Sequence, residues 1–291
     1  MPENINNINW YPGHMTKAKR LMTEELKLVD LIIELVDARA PLSTRNPDLI
    51  NMASNKSRII LLNKADLSDK RFLNDWIKYF KNEGSFAIGL DSRTGKSMAE
   101  IRQLVNEACA EKIERYRKRG IKNRPIRAMV AGIPNVGKST FINTLTKNKG
   151  AKTGNKPGVT RGKQWIRVDK DIDLLDTPGI LWPKFSDEKI GIKLALIGSI
   201  NDDILNMEDL AYELIKILFA KYPEVIKERY EVSESEDPYK ALEEIAINRK
   251  CIKKGNTADI AKAADLLIDE FRSGKLGYIT LDNIPGGIEN E

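Results

Sequence analysis

"IRAMVAGIPNVGKSTFINTL", residues 126–145, decides the fold. An apolar run leads into "GIPNVGKST", which fits G-x-x-x-x-G-K-[ST] through Gly132, Gly137, Lys138 and Ser139, and apolar residues at helical spacing follow. The order strand, glycine loop, helix is what phosphate binding requires. Glycine lets backbone N–H groups turn toward phosphate oxygens, and the opening helix adds partial positive charge. Lys138 is then expected to reach the β- and γ-phosphates and the Ser139 hydroxyl to ligate Mg²⁺. Asn135, Val136 and Thr140 complete the expected binding loop.

Upstream, "LVDLIIELVDAR" reads as a buried strand over 29–36, and "SRIILLNKADL" repeats the pattern. A helix is expected over about 69–81, a third strand in "SFAIGL", and a helix from 97 to about 117. The charged "RYRKRGIKNRP", with Gly120 and Pro125, reads as an exposed connector. Downstream of the glycine loop, "KQWIRV" and "DIDLLDTPG" are two further strands. Alternating strands and helices predict an α/β, doubly wound parallel sheet. Beyond about 186 strand signals fade. "DLAYELIKILFAKY", "DPYKALEEIAIN" and "DIAKAADLLIDEFRSGK" carry apolar residues at three- and four-residue spacing, with Asp at their starts as N-caps. Two domains are expected: residues 1–185, a P-loop domain with an N-terminal segment, and residues 186–291, a small all-α domain.

Three further motifs turn phosphate binding into guanine-nucleotide chemistry. "DTPG" ends a strand, so the Asp176 carboxylate can hold a Mg²⁺ water and Gly179 can offer its N–H to a γ-phosphate. "KPGVTRG" supplies Thr160 as a second Mg²⁺ hydroxyl, although a plain Pro-Gly turn is the other reading. "NKAD", Asn63 to Asp66, also ends a strand. Its Asp66 carboxylate can accept from guanine N1–H and N2–H₂, which adenine cannot offer, while Asn63 bonds the base edge and the Lys64 stem covers the ring. Ser92 in "LDSRTGKS" is the candidate for the loop behind the base. Small GTPases ordinarily carry the P-loop first and NKxD late. Here NKAD precedes the P-loop, so the domain is circularly permuted in the order G4-G5-G1-G2-G3, which surface-lying termini permit.

The 41% hydrophobic and 31% charged composition is that of a globular chain, and no apolar run reaches the length of a membrane span. Neither a secretory nor a transit pattern opens the given sequence, and Cys109 and Cys251 have no metal-ligand spacing, so the expectation is a cytoplasmic protein. The net charge of +6 is unevenly spread. Residues 188–291 hold 14 Lys and Arg against 21 Asp and Glu, leaving 34 against 21 in residues 1–187. That excess favours a polyanionic partner. Candidate phosphate contacts are Lys17, Lys19 and Arg20, then Arg115, Arg117, Lys118 and Arg119, and last Arg249, Lys250, Lys253 and Lys254, each of which could equally be a solvated face.

Taken with "WYPGHM" near the N-terminus and "DAR" at Asp37 to Arg39, this motif series resembles the bacterial circularly permuted GTPases of the ribosome biogenesis GTPase A (YlqF) type over essentially the whole chain. The resemblance implies GTP hydrolysis to GDP coupled to late assembly of the large (50S) ribosomal subunit. It implies ribosomal RNA and ribosomal proteins of the precursor particle as partners, no membrane, and a monomer. Related enzymes place a Gln after DTxG to orient water, whereas this chain has Ile180. The family attributes that role to a histidine in the N-terminal motif, where His14, the single histidine, falls; chemistry alone also allows a turn residue or an RNA contact. The chain also resembles GTPases that use K⁺ in place of an arginine finger, in which an Asn at the position of Asn135 helps to coordinate K⁺ near the β- and γ-phosphates, against a surface Asn on a loop. The competing classes are a non-hydrolytic GTP-gated RNA-binding module, which Ile180 would favour, and a signalling GTPase with a protein effector.

Overall fold

The seven residues Leu31–Asp37 form β1, buried along its whole length, as a strand without polar alternation must be when neighbours cover both of its faces. A computed structural model of the chain describes residues 20, 23–52, 55–121, 124–146, 164–177, 187–232 and 237–286. Within these, β2 (Ser57–Asn63), β3 (Phe86–Leu90), β4 (Ile126–Ala131), β5 (Gln164–Arg167) and β6 (Ile172–Asp176) join β1 in one sheet of order β3-β2-β1-β4-β6-β5. β1 pairs in parallel with β2 from Leu31↔Ser57 and with β4 from Leu31↔Ala128. β4 pairs in parallel with β6, but β5 runs antiparallel at the edge, Gln164↔Asp176. This corrects the all-parallel expectation. Only four residues, 168–171, separate β5 from β6, too few for a crossover.

The chain moves outward from β1 through β2 to β3, then restarts at β4 on the other side of β1. That reversal opens a crevice beyond the carboxyl ends of β1 and β4, where open α/β sheets bind ligands. At the carboxyl ends of β1, β2, β3, β4 and β6 lie "DAR", "NKAD", "DSRTG", the glycine loop and "DT", the first residue of "DAR", "NKAD" and "DT" being the last of its strand, so the motifs converge on one sheet edge.

Helices α1 (Pro47–Met52), α2 (Lys70–Asn82), α3 (Met98–Ala108), α4 (Ala110–Lys118) and α5 (Lys138–Thr146) accompany the sheet. Asp69 caps α2 by accepting from the Arg71 N–H, and Trp76 and Phe80 bury against Val36, Ile60 and Leu62. The single helix expected over 97–117 is interrupted at Cys109, and its second part runs to Lys118, so the connector begins at Arg119. Both cysteines are buried and free, and burial pushes the Cys109 thiol up to about 11.

Of the described residues, 20–177 and 282–286 form one compact unit and 187–281 the other. The second unit is helical: α6 (Glu188–Leu196), a 3-10 turn (Asp202–Ile204), α7 (Met207–Lys221), α8 (Pro223–Tyr230), α9 (Pro238–Asn248) and α10 (Ile260–Ser273). Leu210, Leu214 and Leu218 of α7 are fully or almost fully buried there. Asp237 and Asp259 cap α9 and α10 as expected, but α7 starts earlier than the sequence implied and is capped by Asn206. Glu270 is buried and accepts from Arg229, Tyr230 and Arg249, which outweighs the effect of burial and holds its carboxyl well below the usual range. The tail departs from the contiguous 186–291 segment. Asp282 belongs to the sheet unit, where its carboxylate accepts the Leu42 and Ser43 N–H groups at 2.8 Å and the Ser43 hydroxyl at 2.6 Å.

Candidate functional site

The glycine loop is shaped by the strand and the motif that precede it in the chain. Gly132 has φ +150°, and a Cβ there would stand 2.6 Å from the Leu35 carbonyl of β1. Gly137 has φ +101°, and a Cβ would collide with the Asn63 amide. Glycine is thus required at both positions by close approach as well as by backbone angle. Asn135 takes φ +58°, a left-handed conformation that asparagine tolerates better than most residues.

Asn63 sits at the centre of the site and is almost fully buried. Its Nδ2 donates to the Val136 carbonyl at 2.7 Å, and its Oδ1 accepts the Ser92 N–H at 3.0 Å. One side chain therefore ties NKAD to the P-loop and to the Ser92 loop. The sequence reading placed Asn63 at the base edge and missed this bridge, because nothing local marks a contact to residue 136. Ser92 is buried beside it.

Lys64 also has a left-handed backbone, φ +57°, and its Nζ lies 2.9 Å from the Asp37 carboxylate. Asp37 is fully buried and forked by Arg39, with Nε to Oδ1 and Nη2 to Oδ2 both at 2.9 Å. Burial alone would raise the Asp37 carboxyl, but the Arg39 and Lys64 charges outweigh it and hold the group far below the usual range. The "DAR" motif by itself gives Asp37 no role; its buried pairing with Arg39 and Lys64 does. Asp66 turns one oxygen to Arg93 at 2.6 Å, while its Oδ1 is buried and accepts no hydrogen bond.

At the phosphate end, α5 begins at Lys138, so the loop's last N–H groups lie at a helix N-terminus, and Ser139 and Thr140 are half-buried in its first turn. Lys138 donates to the Gly132 and Ile133 carbonyls at 3.0 and 2.8 Å, folded over its own loop. Burial lowers its ammonium to about 8, which the nearby Asp176 partly offsets. Burial raises the Asp176 carboxyl, partly offset by Lys138. The Asp176 Oδ1 is buried with no hydrogen-bond partner, an oxygen that a Mg²⁺-bound water would satisfy, so the residues present fit that ion. No cluster of three or more His, Cys, Asp and Glu side chains that could hold a metal occurs among the described residues. His14, Lys17, Lys19, Thr160, Gly179 and Ile180 lie outside the described residues.

The Lys138 shift predicts a pH dependence. A bound phosphate raises the ammonium pKa again, so above about 8 the complex holds more protons than the free protein. GDP affinity should therefore fall as pH rises from about 7 to about 9.5, by up to about tenfold per unit, in a fluorescence titration. A flat profile would show either that burial does not lower the free Lys138 ammonium or that Lys138 does not meet the phosphates.

Of the basic clusters, Arg115, Arg117, Lys118 and Arg119 are exposed at and beyond the end of α4. Arg249 is not available as proposed, since Glu270 holds it at 3.1 Å, whereas Lys250, Lys253 and Lys254 are exposed. No helix among the described residues is long and apolar enough to cross a membrane.

Residues 127–248 match the family described as "50S ribosome-binding GTPase", a match that starts at β4, where the unpermuted motif order would begin. The chain is 49% identical over 278 residues to "Ribosome biogenesis GTPase A" of Priestia megaterium, covering 95% of this chain and 96% of the relative. It is 32% identical to the protein of the same description from Thermotoga maritima, covering 94% of each. The crystal structure of GNP-bound YlqF from T. maritima aligns over 94% of this chain and 100% of that one, with a TM-score of 0.62 and 29% identity. GTP hydrolysis follows from this membership, so the non-hydrolytic alternative is set aside. With its permuted G4-G5-G1-G2-G3 order and helical C-terminal region, the chain belongs to the ribosome biogenesis GTPase A family.

Proposed function

We propose that this GTPase couples its nucleotide state to late assembly of the large ribosomal subunit and is stimulated by the precursor particle. The observation that carries the nucleotide part is the Asn63 amide, which joins the P-loop, NKAD and Ser92 loops into one site. The ribosomal part is supported by the 50S ribosome-binding description of the matching family and by the exposed basic residues at the end of α4 and around Lys250 to Lys254. Those side chains are suited to ribosomal RNA phosphates. The protein acts as a cytoplasmic monomer in this reading.

Within the site, Asp66 reads guanine, the Lys64 stem covers the ring, and Ser92 backs it. The glycine loop from Asn135 to Thr140 cradles the phosphates. Lys138 leaves its loop carbonyls to meet the β- and γ-phosphates, and Gly179 offers an N–H to the latter. Ser139, Thr160 and Asp176 hold Mg²⁺, which offsets phosphate charge. Asn135 offers a hard amide oxygen suited to K⁺, which would offset further charge near the β- and γ-phosphates. His14 orients the attacking water in place of the glutamine that Ile180 replaces.

The test is GTP turnover with and without large-subunit precursor particles, in KCl and in NaCl of equal ionic strength, for wild type and His14→Ala. Turnover of wild type alone should be slow, about 10⁻⁴ to 10⁻² s⁻¹, as for related folds without a stimulator. Particles should raise it in KCl, and His14→Ala should lose the stimulated rate by about 10²- to 10⁴-fold with GTP affinity intact. Equal stimulated rates remove His14 from the mechanism, and equal rates in the two salts remove K⁺. Absence of stimulation defeats the ribosomal coupling.

A further inference from the structure

The loop after β3 carries an arginine for which the reading above has no use. Arg93 forks Asp91, Nε to Oδ1 and Nη2 to Oδ2 both at 2.9 Å, and its backbone N–H also donates to Asp91 Oδ1 at 2.9 Å. The same Nη2 donates to Asp66 Oδ2 at 2.6 Å. Thr94 closes the loop by donating its N–H to the Asp91 carbonyl at 3.2 Å, and the neighbouring Ser92 N–H is held by Asn63. The guanidinium is therefore a bridge between the Asp91 and Asp66 carboxylates.

We propose that Arg93 is a positioning residue for guanine selectivity: bridging Asp91 and Asp66, it holds Asp66 Oδ2 and so fixes the rotation of that carboxylate, leaving Oδ1 as an acceptor that a base N–H would satisfy. The inference rests on the assignment of Asp66 as the guanine reader. Two observations and one rule of hydrogen-bond chemistry support it. Asp66 has one oxygen tied and the other buried without a partner, which is half of a bidentate acceptor held ready. A carboxylate oxygen has two acceptor sites, so Oδ2 can keep Arg93 and still receive guanine N2–H₂ while Oδ1 receives N1–H. Arg93 itself is two-thirds exposed, and an ion pair so placed adds little to fold stability, so its effect falls on the ligand. Lysine could replace it only in part, because a point cation lacks the planar fork that spans both carboxylates.

The experiment measures affinities of the full chain for GDP, IDP and ADP, and steady-state GTP turnover, for wild type, Arg93→Ala, Arg93→Lys and Asp66→Ala. Arg93→Ala is expected to weaken GDP about tenfold, the scale of one charge-assisted hydrogen bond. IDP, which lacks the N2 amino group, should weaken less, and ADP should not change. KM for GTP should rise with kcat unchanged, and Arg93→Lys should recover only part of the loss. Tighter GDP binding by Arg93→Ala would make Arg93 a competitor of the base and overturn the proposal, as would equal weakening of all three nucleotides or no change at all. If Asp66→Ala leaves the GDP to ADP ratio intact, the base-reading premise fails; if it collapses the ratio while Arg93→Ala does not, only the role of Arg93 fails.

Discussion

Asp37→Ala is expected to destabilise the sheet unit by about 3–5 kcal/mol, the range for breaking a buried ion pair by removing one partner. Asp37 is wholly buried and Arg39 is 2% exposed, so the alanine variant leaves a guanidinium in the interior without its carboxylate. Lys64 is 26% exposed and can swing toward solvent, which moderates the loss. Denaturant midpoints of wild type and variant measure the effect, and a shift below about 1 kcal/mol, the worth of an exposed pair, would show that the cluster is solvated in practice. Asp37→Asn separates charge from shape. Because the native carboxyl lies below its unfolded value, its contribution is complete above that value and is lost as pH falls through the native one. The gap between wild type and Asp37→Asn should therefore be full at neutral pH and shrink only below about pH 4.

Asp66→Ala should cost GDP about 10²- to 10⁴-fold in affinity and ADP almost nothing, since two hydrogen bonds to a charged acceptor are worth about 1.5–3 kcal/mol each. Titration with both nucleotides reads the ratio directly. A parallel fall in both would mean that Asp66 supports the loop and does not read the base.

The strands and the glycine loop were legible in the sequence because their signals are local. β1 is an unbroken apolar run, and the loop's glycines fall at fixed spacing before a helix. The permutation was legible for the same reason, as a matter of motif order. What escaped depends on partners far away in the chain. Asn63 meets Val136 across 73 residues, and Asp282 meets Ser43 across 239. No periodicity encodes such contacts. α8 escaped for a different reason: Pro223 marks the end of α7, yet at the first position of a new helix proline costs nothing, because its missing N–H would have had no partner. α6 has a glycine in its middle that blurs its pattern. The antiparallel β5 could have been deduced from the short gap to β6.

The register of β1 has a consequence for how the molecule comes into being. β1 meets β2 within 26 residues of chain, Leu31↔Ser57, but waits 97 residues for β4, Leu31↔Ala128. During synthesis the β1–β2–β3 half can therefore pair before the phosphate cradle has been translated. Loop closure makes the β1–β4 pairing the slower event. The growing chain thus completes its NKAD loop first and joins it to the glycine loop only later, when Asn63 finds the segment that follows β4.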